Sequence, residues 1–410
     1  MKTRNHRLLN FSAKSSKHFL LVLDVGTTGV KAFVFDATRK VLAKSYRRFA
    51  KTFPRRGWVE QDPFELLAAS REVIEEAVEK SRIPPKNFYG FGLTNQRETT
   101  ILWHKKTGEP AYPAIVWEDI RTASACRWIR LRSGKVVSER TGLPVDPYFS
   151  ASKIRWITDH APLAKQWQRN KELVFGTVDS WLLWNLCEKH PHVTDQTNAS
   201  RTLLFNIKTL RWDDRLLRIF GISKSMLPRA LPSHGLFGTL EREVMGVALP
   251  TLAVCGDQQS SLFAAMREET PHGGSATGVT KVTFGTGTFI MQVIGTKFSA
   301  RRGWFTTLVP GNGRPLYALE AKINDSGKEV DTLLTHPKKL RAFLSRLSGE
   351  VAKYVRRLPI EPSELVIDGG ITRSKELAPL LEGFSGMAIK KVEIFDGTAL
   401  GIARLLQEPL

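Results

Sequence analysis

Cysteine is scarce: three residues in 410, at Cys126, Cys187 and Cys255, with no paired spacing. That excludes a disulfide framework or a zinc ribbon and points to a reducing, cytoplasmic setting. Long apolar runs are missing as well, since no stretch approaches the ~20 residues that a membrane-crossing helix requires. Acid is in short supply against base, 40 Asp and Glu to 61 Lys and Arg, for a net charge of +21. The excess base is dispersed in small pairs, among them Arg55-Arg56, Lys105-Lys106, Arg301-Arg302 and Lys390-Lys391. No zinc-finger or RNA-recognition pattern accompanies them. A generally basic surface that favours anionic substrates therefore outweighs a specific nucleic-acid reader. Residues 1–18 hold five Lys or Arg and no acid but lack the apolar centre of a secretory signal, and they read as a basic tail.

What the chain does hold is 42% hydrophobic and 25% charged residues, the balance of a globular protein with a sizeable core, at a length that suits two domains. Residues 19–36, FLLVLDVGTTGVKAFVFD, read as strand, tight turn, strand. The first apolar run ends in Asp24, Gly26-Thr27-Thr28-Gly29 turns the chain, and a second apolar run leaves. Backbone N–H groups, hydroxyls and glycines make such a turn an anion cradle, and an acid beside it can hold Mg²⁺ through water. An ordinary hairpin with a polar tip fits the same stretch equally well. The spacing is neither a Walker A loop nor a dinucleotide-binding glycine fingerprint. A second strand–Gly/Thr turn–strand unit follows at 281–289, KVTFGTGTF. Two halves facing a cleft, each with a phosphate cradle, is the simplest reading. Between them, Asp62-Pro63 marks a helix start, 178–186 an apolar helix, and 250–255 a buried strand ending in Gly256-Asp257-Gln258-Gln259. Strands at 316–320 and 365–367 and helices over 340–355 and 398–406 complete the second half.

These stretches together resemble the FGGY carbohydrate kinases, and within them the glycerol kinase branch. The resemblance rests on DVGTTGVKAFVFD, GWVEQDP, LTNQRETTILW, AIVWEDIRT, TGLPVDPYFSASKIRWI, FGTVDSWLLW, HVTDQTNASRTLLFNI, CGDQQSSLF and FGTGTF, in that order along residues 19–289. It implies an α/β fold of two ribonuclease H-like domains of the actin–hexokinase type around a cleft. The division expected is a tail at 1–18, a polyol-binding domain at 19–265 and a nucleotide-binding domain at 266–410. The activity implied is ATP-dependent phosphorylation of glycerol to sn-glycerol 3-phosphate, with ATP and Mg²⁺ as cofactors, a small polyol as partner, and a homo-oligomeric assembly.

The resemblance also assigns roles. Arg97, Glu98 and Tyr148 match ligands of the polyol hydroxyls, Trp117 and Phe289 the aromatic walls along its carbons, and Asp257 the general base with Gln258 beside it. Asp24 and Asp257 match the metal side. Thr27, Thr28 and Lys31 match the phosphate loop, and Thr286, Gly327, Gly370 and Ser374 fall at nucleotide-contacting positions. Read singly, Arg97 and Glu98 are equally a surface ion pair, and Asp257 a helix cap. The chain departs from the family at Ser374, where an asparagine is usual, and at Ile120, where a basic residue is usual. Its second half is also shorter: the chain runs through Thr335-His336-Pro337 almost directly into a helix. The second domain is therefore expected to be truncated, with fewer strands in its sheet than the first. Other readings are a catalytically impaired binding or regulatory protein, and a kinase for another small polyol or sugar.

Overall fold

Residues 20–25 are buried at every position, as in a strand covered on both faces. The computed structural model describes residues 18–269, 275–285, 287–311, 314–323, 333, 337–392 and 396–409. The basic tail at 1–17, Thr286 and Gly327 lie outside the described residues. β1 (Phe19–Val25) sends Leu21, Leu23 and Val25 into one core and Leu20 and Val22 into another, the period of two that a pleated strand imposes. Around it stand β2 (Gly29–Phe35), β3 (Val41–Arg48), β4 (Phe88–Asn95), β5 (His234–Leu240) and β6 (Leu249–Gly256), in the order β5-β6-β4-β1-β2-β3. β1, β2 and β3 are antiparallel neighbours, whereas β1, β4 and β6 run parallel.

The second sheet repeats that wiring. It contains β7 (Thr280–Phe284), β8 (Thr288–Gly295), β9 (Phe305–Leu308), β10 (Tyr317–Ile323), β11 (Glu364–Asp368) and β12 (Ala388–Lys391), in the order β9-β10-β8-β7-β11-β12. β7, β8 and β10 are antiparallel neighbours, and β7, β11 and β12 run parallel. β1 and β7 are thus equivalent, as are the turns that follow them. Gly26 N–H donates to Gly29 O at 3.0 Å, and Gly285 N–H to Gly287 O at 3.1 Å.

Among the described residues each sheet has six strands, which overturns the expectation of fewer strands in the second. The shortness of the chain around 335–340 did not remove a strand, because β9 and β12 make up the number. Their sequences, FTTL and AIKK, carry too little apolar pattern to announce strands. Both lie at sheet edges, where a strand has one partner and less surface to bury.

Helices fill the faces according to their apolar stripes. α1 (Pro63–Ser81) opens where Asp62 accepts from Phe64 N–H at 2.8 Å, and it buries Leu66, Val73, Ile74 and Ala77. α2 (Ala123–Thr141) and α3 (Ser150–His160) belong to an added layer with its own core around Ile154, Ile157, Phe175 and Leu204. α4 (Val178–Leu186) packs Trp181, Leu182 and Leu186 under the first sheet. The short α5 (Gln196–Ser200) follows. α6 (Asp257–Glu269) lies between the sheets: Phe263 joins the core of the first and Leu262 and Met266 that of the second. α7 (Pro337–Val355) and α8 (Leu377–Ser385) cover the second sheet with Phe343, Leu344, Leu347, Val351, Leu377 and Leu381.

The last helix, α9 (Gly397–Leu405), returns to the first sheet, where Ala399, Ile402 and Ala403 pack with Leu20, Val22 and Leu252. It lies so close to α6 that a Cβ at Gly401 would stand 1.9 Å from Ser260 O. Gly401→Ala should therefore separate α9 from α6 and destabilise the protein by about 1–3 kcal/mol, the usual cost of overpacking. Urea denaturation measures it; an unchanged midpoint would mean that the two helices are not in this contact.

Candidate active site

Three parallel strands of the first sheet end at one edge, and each delivers polar residues there. β1 ends beside Asp24, β4 runs out through Asn95 into Gln96, Arg97 and Glu98, and β6 ends on Gly256 ahead of Asp257. Glu98 has φ of +63°, a left-handed conformation that a residue with a Cβ rarely adopts. It is held there because its carbonyl accepts from Thr100 Oγ1 and Ser150 Oγ, both at 3.0 Å. Backbone held against its preference at a strand end is typical of functional sites.

Arg201 is brought to the same place by a helix start. Asp195 caps α5 by accepting from the Thr197 and Asn198 N–H groups, both at 2.9 Å. Asn198 then exchanges two amide hydrogen bonds of 3.0 Å with Asn95 at the end of β4. Arg201 follows at once, fully buried. Its Nε donates to Glu98 Oε1 at 2.5 Å and its Nη2 to Glu320 Oε1 at 3.1 Å.

Glu320 comes from the second lobe, in the middle of its sheet on β10, opposite Met291 of β8 and Phe305 of β9. Arg97 grips it with both Nη atoms, at 2.8 and 3.0 Å. Arg97 Nε lies 3.1 Å from Asp257 Oδ1, and its Nη1 donates to Gln259 Oε1 at 3.1 Å. Arg97 and Glu98 are 2% and 1% exposed, so they form no surface pair but part of a buried cluster of two guanidiniums and three carboxylates. Burial opposes the charge on Glu320, yet Arg201 and Arg97 outweigh it and hold the carboxyl below its usual range. Asp257 is different. Desolvation lifts its carboxyl to about 6, with Arg97 opposing and Glu98 adding to the rise. It also keeps 26% of its side chain exposed, the largest share in the cluster.

Aromatic rings stand beside these charges. Trp117 and Tyr148 meet edge to face at 5.5 Å, and Arg97 sits 5.9 Å from the Phe289 ring centroid. Trp117 Nε1 donates to Thr27 Oγ1 at 3.0 Å, which ties this wall to the first Gly/Thr turn. Lys153, wholly buried, donates to Tyr148 O at 2.9 Å, and burial pushes its ammonium down to about 8. Gln258 Oε1 is buried with no hydrogen-bond partner among the described residues, an acceptor left for a ligand hydroxyl. Arg97, Glu98, Asp257, Gln258, Trp117, Tyr148 and Phe289 thus share one neighbourhood.

A second cavity, of about 510 Å³, opens next to Asp24 and is lined by Gly26, Thr28, Gly29, Lys31, Lys44, Gly369, Gly370, Arg373 and Asp396. Residues of both lobes line it, and close packing within each lobe shapes it. A Cβ at Gly29 would meet Arg47 O at 2.5 Å, and one at Gly369, where φ is +100°, would meet Phe284 O at 2.2 Å. Only glycine permits that contact between the β11 turn and β7. Asp396 accepts from Lys31 at 2.8 Å and from Lys44 at 2.6 Å. Asp24 Oδ2 accepts from Thr398 Oγ1 at 2.8 Å, and burial raises its carboxyl, with Lys31 opposing. Thr27 faces the aromatic wall instead, and Ser374 lies beyond the cavity lining, its Oγ accepting from Glu376 N–H at 3.3 Å. Among the described residues no three His, Cys, Asp or Glu gather as a metal cage. A cation that keeps its waters and binds phosphate oxygens needs only one or two carboxylates, and Asp24 and Asp257 suit that role.

The sequence reading passed over Arg201, Glu320 and Asp396. Glu320 had left a signal: it is the one acid in a largely apolar strand, YALEAKI, and a buried acid requires a partner. Arg201→Met should leave Glu98 and Glu320 short of a cation and cost about 3–5 kcal/mol of stability. A denaturation curve like that of the unaltered protein would show Arg201 to be dispensable.

Residues 19–264 match the N-terminal domain of the FGGY family of carbohydrate kinases. The chain is 42% identical to a glycerol kinase of Alkaliphilus oremlandii over 329 residues, 79% of this chain and 64% of that one. It is 42% identical to glycerol kinase 2 of Thermotoga maritima over 318 residues, 77% of this chain and 63% of that one. It thus spans less than two thirds of the length of these curated relatives. Among solved structures, Plasmodium falciparum glycerol kinase with ADP aligns with a TM-score of 0.85 at 27% identity, covering 94% of this chain and 88% of that one. A xylulose kinase of Rhodospirillum rubrum shares the fold, with a TM-score of 0.81 at 18% identity over 94% and 89% of the two chains. By its sequence over 19–264, this chain belongs to the FGGY family of carbohydrate kinases.

Proposed function

We propose that this protein transfers the γ-phosphoryl group of ATP to a terminal hydroxyl of glycerol, giving sn-glycerol 3-phosphate and ADP. The observation that carries the reading is the setting of Asp257. It is the most exposed acid of the charge cluster, with the Arg97 guanidinium 3.1 Å away. The likeness to glycerol kinases over most of the chain supports the same activity.

Each residue has a task in this reading. Arg97 and Glu98, held by Glu320 and Arg201, present fixed hydrogen-bonding edges to the acceptor hydroxyls. Gln258 Oε1 accepts from another hydroxyl. Trp117, Tyr148 and Phe289 enclose the carbon chain and exclude water. Asp257 takes the proton of the attacking hydroxyl, and its lifted carboxyl makes it a stronger base than an ordinary aspartate. The cavity beside Asp24 receives the triphosphate, with the N–H groups of the first turn, Lys31, Lys44 and Arg373 as its donors. Mg²⁺, when bound, neutralises charge on the β- and γ-phosphate oxygens. Asp24, with Asp257, would hold it from the protein side.

ADP release in a coupled assay, with glycerol among a panel of polyols and sugars, tests the activity. Turnover with glycerol supports it; nucleotide binding without turnover on any acceptor would favour a binding or regulatory role. Asp257→Asn should lower kcat by roughly 10²–10⁴-fold while glycerol still binds, because the amide keeps the size but accepts no proton. Asp257 works as the base only when ionised. kcat/KM for glycerol should therefore rise with pH through about 6 and level off above it. A pH-independent rate between 5 and 7 would remove Asp257 from the mechanism.

A further inference from the structure

The carboxylate of Asp195 does more than cap α5. It is wholly buried, and every group around its oxygens is a donor. Oδ1 accepts from the Asn198 N–H at 2.9 Å and from Asn198 Nδ2 at 2.8 Å. Oδ2 accepts from the Thr197 N–H at 2.9 Å and from the Thr197 and Ser233 hydroxyls, both at 2.7 Å. Two arms leave this carboxylate, and each reaches the candidate site. The first passes through Asn198, whose amide exchanges two hydrogen bonds with Asn95, the last residue of β4 before Gln96, Arg97 and Glu98. The second passes through Thr197. Its hydroxyl proton goes to Asp195, and the same oxygen accepts from the Gly256 N–H at 2.9 Å, with Cys255 Sγ 3.5 Å away. Gly256 ends β6 and precedes Asp257.

The second arm ends where packing is tight. A Cβ at Gly256 would stand 2.8 Å from both Cγ and Cδ of Arg97, so the strand end passes directly under the arginine stem. Asp257 comes next, with Oδ1 3.1 Å from Arg97 Nε. A small shift of the Gly256 peptide therefore moves Asp257 against Arg97. Ser233 adds a tie to the same strand, since its carbonyl accepts from the Val254 N–H at 2.9 Å. We propose that Thr197 is a positioning residue for the base: it relays Asp195 to the Gly256 N–H and so fixes Asp257 against Arg97, while Asn198 fixes the strand end that carries Arg97 and Glu98. The inference rests on the phosphoryl-transfer reading of this site and names what sets its geometry. Separate arms imply separable defects. The arm to Gly256 governs the chemical step, and the arm to Asn95 governs the grip on the acceptor.

Steady-state kinetics and crystal structures of the full chain test this. Thr197→Val keeps the shape but removes the hydroxyl, which strands the buried Gly256 N–H. kcat with glycerol should fall by roughly tenfold to a hundredfold, the penalty of a misplaced reacting group, while KM for glycerol stays nearly constant. Thr197→Ser keeps the hydroxyl and should recover most of the loss. Asn198→Ala should raise KM for glycerol more than it lowers kcat. A merely structural role would lower the melting temperature of Thr197→Val and leave kcat and KM of the folded protein unchanged, and that result would overturn the proposal. The crystal structure of Thr197→Val reads the placement without turnover: the Asp257 carboxylate should leave Arg97 Nε. A carboxylate that keeps its contact there would also overturn the proposal. Displacement in a protein that turns over no acceptor would refute the transferase and keep the positioning; turnover by the unaltered protein with kcat preserved in Thr197→Val would do the reverse.

Discussion

A single carboxylate from the second lobe, Glu320, is gripped by two guanidiniums from the first. The rest of the site depends on this. Each member of the cluster would be costly to bury alone, since an isolated charge in a protein interior is penalised by several kcal/mol. Together they are tolerable, because each guanidinium meets carboxylates at hydrogen-bonding distance and nearly every edge is used. The arrangement fixes Arg97 from three sides, by Glu320, Gln259 and Asp257. It leaves Asp257, which Arg97 touches only through Nε, as the carboxylate with an edge still open to the cleft.

Elsewhere, backbone and small residues let neighbouring elements approach closely. The equivalent turns after β1 and β7 come from the same strand wiring used twice. Gly369 lets the turn after β11 approach β7, and Gly401 lets α9 lie on α6. α9 begins beside Asp396 and Thr398, which reach Lys31 and Asp24 of the first turn. A helix late in the chain therefore completes the cavity beside Asp24 in the first lobe. The cleft is built from both ends of the sequence, and its polar groups are positioned by parts that also hold the lobes together.

Much of this was legible in the sequence where local pattern and tertiary burial agree. The β1 turn, the Asp62 cap and the helix at 178–186 formed as read, because apolar period and capping residue are local signals. Arg97, Glu98, Trp117, Tyr148, Asp257 and Phe289 were found through motif resemblance, and they do gather in one place. What escaped was non-local. β9 and β12 are edge strands with weak pattern, so an equal strand count was not foreseeable. Arg201 and Glu320 are 119 positions apart, and nothing in either neighbourhood names the other. Lys322 reads in sequence as one more base on a basic chain; only the fold puts it on the aromatic wall.

The account stands on cross-lobe coupling at Glu320, and a double-mutant cycle with Arg97→Met and Glu320→Met measures that coupling directly. Unfolding free energies of the two single variants and the double variant should be strongly non-additive. The double variant should be more stable than the sum of the single losses predicts, by about 1–3 kcal/mol, because each single change strands a buried charge that the second removes. Losses that add to within about 0.5 kcal/mol would show that the two side chains act independently, and the proposed organisation of the cleft would fail.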